Sequence, residues 1–238
     1  LENVKFRKNK IYSLYSTLEP CCHIGRDESC VSKILNSKKI DRVVFSLRDP
    51  DSRVNGKGKE KLLKNNIDVK SDVLKELSSN FYEGYILNRT QRRPKVILKL
   101  AMTIDGYIST KKNKRTKITN SLSDSYSDSL RSEVDAILVG SKTVKIDNCI
   151  LKCKSSSFLK NSPVRVILNT KLDVNINSKI FLDCEKYRTI IFCHIFDKKK
   201  LKKYKDKKIE VISFTKNSFN LTNILKELSN LGVTNLLV

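Results

Sequence analysis

Short runs rich in β-branched and aromatic residues recur along this chain and alternate with segments of helical periodicity. In the second half the runs are Val164–Leu168, Thr189–Cys193, Glu210–Phe214 and Asn235–Val238. Runs of this length and composition predict strands, and Leu221–Leu231, with apolar residues at helical spacing, predicts a helix before the last strand. Strands that alternate with helices are typical of an α/β architecture. The sequence therefore predicts an α/β fold.

The same alternation occurs in the first half. Strands are predicted at Ile11–Leu18 and Arg42–Leu47, and helices from Cys30 and over Val73–Asn88. Lys59–Asn65 predicts a short helix and Ile67–Val69 a short strand. A charged connection that ends at a proline, Arg89–Arg93, follows the long helix. We therefore predict two domains, residues 1–91 and 92–238.

The second domain begins with further predicted elements. They are strands at Val96–Met102, Tyr107–Ser109 and Ala136–Val139 and a helix at Asp124–Glu133. Thr143–Asp147 begins the next element, and Thr143 and Asp147 are expected on one loop directly after the strand that closes on Gly140. The Lys-rich run Lys198–Lys208 predicts a solvated face.

Composition narrows the function classes. Lys and Arg total 48 against 25 Asp and Glu, a formal net charge of +23. The excess is mostly Lys and is spread from end to end, so it suits phosphate-bearing small molecules as well as it suits nucleic acid. No apolar stretch approaches the roughly 18–20 residues of a membrane-spanning helix, and no secretory signal opens the chain. Seven Cys at irregular spacings predict free thiols, and hence a soluble, cytoplasmic protein.

The most informative segment runs from Glu19 to Cys30. Pro20 stops the preceding strand, so Cys21 lies just past a strand end, and Cys30 opens a helix. This spacing places two thiols on one side of a loop, which is half of a tetrahedral zinc site. Two ordinary buried cysteines are the alternative on spacing alone.

The order of motifs in both halves resembles the bifunctional riboflavin-biosynthesis deaminase/reductase family. In the first half the matching motifs are Thr17–Cys21, His23, Gly25–Arg26, Cys30, Arg48–Asp51 and Val54–Gly58. In the second half they are Leu98–Gly106, Ile118–Thr119, Leu130–Arg131, Ala136–Gly140, Thr143–Val144 and Asp147. The resemblance covers essentially the whole chain.

The resemblance implies a cytidine-deaminase-like domain followed by a dihydrofolate-reductase-like reductase domain, both incomplete. The family's His-Ala-Glu segment is expected upstream of Leu1, and its C-terminal phosphate loop after Val238. The implied activities are the hydrolytic deamination of a phosphorylated diaminopyrimidine and the NADPH-dependent reduction of its ribosyl group to ribityl. The implied partner is thus a small phosphorylated pyrimidine, with no specific nucleic acid and no membrane; a homo-oligomer is left open.

The resemblance also assigns site residues in each domain. In the first, Cys21 and Cys30 would bind Zn²⁺, and the rim that receives the pyrimidine would contain His23, Arg26, Asp49 and Asp51. In the second, the residues implied for NADPH are Ala101, Lys117, Thr143 and Asp147. Those implied for the substrate are Arg115, Arg131, Leu151 and Lys154. Asp147 would serve in proton handling or ribose orientation, with a helix N-cap as its alternative.

Two departures from the family pattern affect the second site. Arg115-Thr116-Lys117 replaces a motif that ends in Trp, and Lys154 replaces an Arg, which keeps the positive charge and loses the bidentate fork. Two other functions therefore stay open. One is a nucleic-acid-directed zinc deaminase or RNA-binding module, and the other is a non-catalytic remnant of the riboflavin enzyme.

Overall fold

The computed structural model describes residues 5–7, 10–25, 27–111, 114 and 116–238. The chain divides into two compact units, residues 1–91 and 92–238. Within the described residues, no helix is long and apolar enough to cross a membrane.

The first unit is a three-stranded parallel sheet with helices. Its strands, in spatial order, are β1 (Tyr12–Leu18), β2 (Ile40–Leu47) and β3 (Asp68–Lys70). Its helices are α1 (Cys30–Ser37), α2 (Lys57–Lys64), α3 (Lys75–Phe81) and α4 (Glu83–Gln91). Apolar side chains from α1, β2 and α2 form the core, with Ile34, Phe45 and Leu62 almost fully buried.

The single helix predicted over Val73–Asn88 is two helices. Leu74 has a left-handed backbone with φ of 57°, so α3 begins at Lys75, and Tyr82 separates α3 from α4. The Tyr82 hydroxyl shares a 2.7 Å hydrogen bond with the hydroxyl of Thr17 on β1. The break therefore accompanies a tertiary contact, which helical periodicity does not encode.

The second unit is a six-stranded sheet in which every pairing is parallel. In spatial order the strands are β4 (Lys95–Ile97), β9 (Asn235–Leu237), β5 (Ala136–Gly140), β6 (Val164–Leu168), β7 (Thr189–Cys193) and β8 (Glu210–Ser213). The helices are α5 (Ser121–Ser132), α6 (Ser141–Asp147), α7 (Lys198–Lys205) and α8 (Leu221–Asn230).

Both faces of this sheet are covered. Ile191 on β7 packs in one apolar cluster with Val144 of α6 and Tyr204 of α7. The adjacent Phe192 points to the opposite face and packs with Ile224 of α8. Successive residues of a strand alternate between faces, so a strand buried on both sides is apolar throughout, as β7 is. The Lys-rich run is thus only partly solvated, because Tyr204 is buried within it.

The strand predicted at Val96–Met102 extends too far, and the strand predicted at Tyr107–Ser109 is wrong, because the structure has no strand at these described residues. Strand β4 ends at Ile97, and the last backbone bond it shares with its neighbour runs from the Lys99 amide to the carbonyl of Val238, at 2.9 Å. Residues 103–107 instead form a turn in which Gly106 has φ of 85°. Apolar alternation continues beyond the point where backbone partners stop, and a strand needs those partners.

Candidate functional site

Helix α6 follows β5 directly, so it lies at the carboxyl edge of the parallel sheet, where open α/β sheets bind ligands. Thr143 and Asp147 are both half-buried and lie four residues apart, on the same face of this helix. The sequence placed them on a loop, which is wrong. The N-cap alternative for Asp147 is wrong as well, because Asp147 is the last residue of α6 and Asn148 is the C-cap. Within the described chain, the Asp147 carboxylate forms no ion pair.

The loop over residues 148–155, which carries Leu151 and Lys154, begins where α6 ends. Leu151 has φ of 61°, a backbone conformation that costs energy in a residue with a Cβ. Its side chain is half-buried and packs against the apolar cluster of Val134, Ile137 and Leu237. Leu151 is therefore fixed by packing, whereas the Lys154 side chain is exposed.

Asp128 of α5 holds the far end of this loop. Its Oδ1 accepts the Lys154 amide at 2.8 Å, and its Oδ2 accepts the amides of Lys154 and Ser155 at 3.0 and 2.9 Å. The Arg131 guanidinium also contacts Oδ1, at 3.3 Å. Burial alone would raise the pKa of Asp128, but the two backbone amides and Arg131 outweigh it and lower that pKa. Asp128 is therefore ionised and holds the Arg131 guanidinium next to the backbone of Lys154.

Lys117 joins the same surface. Its ammonium lies 3.2 Å from Oδ2 of Asp124, which is one turn before Asp128 on α5. The Lys117 hydrogen bond lowers the pKa of Asp124, and the charge of Lys154 adds to this effect. The structure thus gathers Lys117, Arg131 and Lys154 around one face of α5, an arrangement suited to a phosphate group. The sequence had divided these three residues between cofactor and substrate.

The resemblance implies two further residues for this site, Ala101 and Arg115. Ala101 is half-buried in the segment after β4, and Arg115 lies outside the described residues. Asp124 and Asp128 were not among the residues predicted for this site. The available signal was an acid three residues before Arg131 on a predicted helix, a spacing at which side chains meet.

A second network missed from the sequence supports the start of the loop. Arg165 on β6 is fully buried and donates to Asp183 at 2.5 Å and to the carbonyl of Tyr187 at 2.8 Å. Its guanidinium also reaches the carbonyl of Ile150, at 3.5 Å. Lys152 pairs with the other oxygen of Asp183 at 2.9 Å. A buried guanidinium with several acceptors is stably held, and here it fixes the residues just before Lys154.

In the first unit the two predicted zinc ligands are adjacent. The Cys30 amide donates to the Cys21 sulfur at 3.3 Å, and burial together with the neighbouring Cys21 raises the pKa of the Cys30 thiol. Zinc requires thiolates and about four ligands. Among the residues that the structure describes, no group of three or more His, Cys, Asp and Glu side chains could hold a metal. The described residues therefore do not form a complete zinc site.

The expected rim of the first site is turned inward. Asp49 is buried and accepts the Tyr85 hydroxyl at 2.9 Å. Asp51 is buried and binds the Arg53 guanidinium through both oxygens, at 2.9 and 2.6 Å, which lowers the Asp51 pKa strongly. Nδ1 of His23 is buried with no hydrogen-bond partner in the described part of the chain. Arg26 lies outside the described residues.

A parallel sheet with helices on both faces, and a cationic cluster on α5 near the loop that leaves α6, defines the second unit as an α/β ligand-binding domain. Residues 94–238 match the family described as the RibD C-terminal domain. The chain belongs to this family, and its resemblance to the riboflavin-biosynthesis proteins is confirmed.

Individual relatives agree with this assignment. The chain is 37% identical over 231 residues to the riboflavin biosynthesis protein RibD of Aquifex aeolicus, covering 97% of this chain and 63% of that protein. A Thermotoga maritima structure described as a diaminohydroxyphosphoribosylaminopyrimidine deaminase/5-amino-6-(5-phosphoribosylamino)uracil reductase is 31% identical, with a TM-score of 0.79 and coverage of 95% and 61%. Acinetobacter baumannii RibD has the same fold at 24% identity, with a TM-score of 0.82 and coverage of 94% and 61%. The chain thus spans less than two thirds of the length of these relatives.

Proposed function

We propose that the second unit, residues 92–238, is an NADPH-dependent reductase of riboflavin biosynthesis. Its substrate would be the one in the name of the Thermotoga maritima relative, 5-amino-6-(5-phosphoribosylamino)uracil, whose ribosyl group becomes ribityl. The observation that carries the proposal is the cluster of Lys117, Arg131 and Lys154 around α5, because it offers cations to phosphate groups, which both the substrate and NADPH carry.

The residues at the carboxyl edge fit a polar cofactor. Asp147 and Thr143 share one face of α6, and Asp147 has no cation paired with it in the described chain. On the adjacent strand end, Asn169 is fully buried, and its side-chain NH₂ has no hydrogen-bond partner among the described residues. NADPH supplies the hydride when it is bound. An orphaned amide donor and an unpaired carboxylate suit the oxygens and hydroxyls of such a molecule.

Each residue then has a stated role. Arg131 and Lys154 bind the substrate phosphate, and Leu151, fixed by packing, supplies an apolar wall. Thr143 and Asp147 hold the nicotinamide ribose, and Asp147 moves or orients the proton that must accompany the hydride. Lys117 and Ala101 border the cofactor, as the family resemblance implies.

NADPH consumption on addition of the aminouracil substrate tests this proposal. The chain, extended after Val238 by the phosphate loop that the resemblance implies, is expected to consume NADPH. In this extended form Asp147→Asn is expected to lower kcat by about 10²-fold while substrate KM changes little, since the carboxylate acts in the transition state. Lys142→Gln, an exposed change on the same helix, serves as the control. An Asp147→Asn variant that turns over at the parental rate would show that Asp147 has no part in the reaction.

A second candidate function concerns residues 1–91, which we infer to be a cytidine-deaminase-like unit. The observation that favours it is the contact between Cys21 and Cys30, two thiols in the loop that resembles the family's zinc loop. Since these two thiols are half of a tetrahedral set, the described residues alone are expected to bind Zn²⁺ weakly and without deaminase turnover.

Zinc titration of the chain, with Cys21→Ser as the variant and Cys184→Ser as a matched control, tests this candidate. Cys184 is buried in an apolar cluster of the second unit and is not part of the loop that carries Cys21 and Cys30. Weak zinc binding that Cys21→Ser abolishes and Cys184→Ser preserves would support the candidate. Binding that both variants retain would exclude the Cys21 and Cys30 pair as its source.

A further inference from the structure

We propose that Asp128 is a positioning residue that aligns Arg131 and Lys154 to bind one phosphate group together. The proposal rests on the proposed reductase function and adds a residue to it. Asp128 touches neither substrate nor cofactor; it acts through the two cations.

Both oxygens of Asp128 are occupied. Oδ1 accepts the Lys154 amide and contacts the Arg131 guanidinium, and Oδ2 accepts the amides of Lys154 and Ser155. The residue is only 5% exposed, so water does not replace these partners readily. A single carboxylate thus holds the guanidinium of a helix residue, Arg131, and the backbone from which the side chain of a loop residue, Lys154, extends.

The cations need this support because their own contacts are few. Among the residues that the structure describes, Arg131 has one ion pair, that with Asp128, and its side chain is 22% exposed, which leaves guanidinium donors for a ligand. Lys154 is exposed, and within the described chain its ammonium has no ion-pair partner. The loop before it includes the strained Leu151, with φ of 61°, so it does not hold this shape by local preference. Precise placement of binding groups raises affinity because less ordering remains to be done on binding.

Charge alone predicts the opposite effect of removing Asp128. A carboxylate close to an anion site repels the anion, so neutralising it should strengthen phosphate binding. Loss of alignment should weaken binding, since Arg131 and Lys154 would no longer converge. The sign of the change therefore separates a positioning residue from a neighbouring charge.

The experiment measures binding of ribose 5-phosphate by calorimetry to the whole chain. Asp128→Asn removes the charge, and Asp128→Glu keeps it but displaces the oxygens. The matched control is Asp135→Asn, because Asp135 also accepts two backbone amides, those of Thr234 and Asn235, both at 2.8 Å. Asp135 lies immediately before β5, and its amide partners lie at the start of β9, so Asp135→Asn leaves the partners of Asp128 unchanged.

We expect Asp128→Asn and Asp128→Glu to weaken binding about tenfold, the size of a lost charged hydrogen bond. Asp135→Asn should change it less than about twofold. Lys154→Ala should also weaken binding, and adding Asp128→Asn to it should cost little more, because the two residues act together. In the reductase assay, the KM for the phosphorylated substrate should rise in Asp128→Asn while the KM for NADPH stays constant, a split that general destabilisation would not give.

Unchanged or tighter binding in both Asp128 variants would overturn the positioning role while leaving the proposed function in place. If the wild-type chain binds no ribose 5-phosphate, the proposed phosphate site itself fails, and the positioning role fails with it. The two failures are thus distinguished by the wild-type titration. Should Asp128→Asn not fold, Asp128→Glu, which retains the buried charge, decides the question by the same titration.

Discussion

Gly58 lies so close to Pro20 that a Cβ atom added to it would be 2.1 Å from the Pro20 carbonyl oxygen. The same segment places the Glu19 carboxylate on the amides of Gly56 and Lys59, at 2.8 and 2.9 Å. These amides belong to the start of α2, where backbone donors have no partner within the helix. The segment that leads into Cys21 therefore packs against the first turn of α2, and only glycine fits at position 58.

Gly58→Ala is expected to destabilise the first unit by about 2–4 kcal/mol, because backbone must move to relieve the contact. Urea unfolding measures the change. Gly140→Ala is the control, since a Cβ there meets no atom within 4 Å, and it should change the free energy of unfolding by less than about 1 kcal/mol. Equal effects of the two substitutions would contradict the close contact at Pro20.

Arg165→Met is expected to lower the free energy of unfolding by about 3–5 kcal/mol, because it removes one of the two cationic partners of the Asp183 carboxylate and the donor to the carbonyls of Tyr187 and Ile150. The comparison is Arg188→Met, which removes the exposed ion pair of Arg188 with Glu210. That change should cost less than about 1 kcal/mol. Thermal and urea unfolding of both variants measure the two changes in the free energy of unfolding. Similar changes would mean that the buried interactions of Arg165 stabilise the fold no more than an exposed ion pair does.

Tyr85→Phe tests the buried network of the first unit through its pH dependence. Burial and the hydrogen bond to Asp49 raise the pKa of Tyr85 to about 12, from about 10 for an unfolded tyrosine. The folded state thus holds this proton more tightly, so the stabilisation is complete below about pH 10 and is lost as the pH rises through about 12. The stability difference between wild type and Tyr85→Phe should shrink across this interval. A difference that stays constant from pH 9 to pH 12, roughly the interval that these pKa values set, would argue against the hydrogen bond.

Arg131→Ala is expected to raise the substrate KM about tenfold or more and to leave NADPH affinity nearly unchanged, since the guanidinium is assigned to the substrate phosphate. Steady-state kinetics and a cofactor titration measure the two quantities. Arg188→Ala is the control, because it removes the same charge at an exposed position next to β7, two strands away from β5. It should alter neither the substrate KM nor the NADPH affinity. If Arg131→Ala weakened only NADPH binding, Arg131 would belong to the cofactor side of the site and not to the substrate side.

Much of the fold was predictable because the strands of the second unit are buried on both faces. Val164–Leu168 is apolar except for Arg165, Thr189–Cys193 is apolar after Thr189, and the two runs match β6 and β7 in both bounds. Elements that depend on distant partners were not predictable in this way. The segment after β4 alternates like a strand and finds no neighbour beyond Lys99, and Tyr82 breaks a helix where it meets Thr17.

The candidate site was predictable only as a set of residue types. Family resemblance named Arg131 and Lys154, but their proximity depends on Asp128, whose partners are amides 26 and 27 residues away along the chain. Backbone donors leave no trace in the identity of a residue, so the sequence did not indicate this contact. For Asp49 and Asp51 the resemblance predicted a place at the rim of the first site. Instead, their carboxylates accept hydrogen bonds from the Tyr85 hydroxyl and the Arg53 guanidinium.

Transfer of deuterium from labelled NADPH tests the central claim most directly. The chain, extended after Val238 by the phosphate loop that the resemblance implies, is incubated with NADPH that carries deuterium at its transferable position and with 5-amino-6-(5-phosphoribosylamino)uracil, and the mass of the product is measured. We expect a ribityl product that contains one deuterium and one additional hydrogen from solvent, formed in step with NADPH oxidation. A substrate of unchanged mass after incubation, with the chain folded and the cofactor intact, would contradict the assignment of residues 92–238 as a reductase.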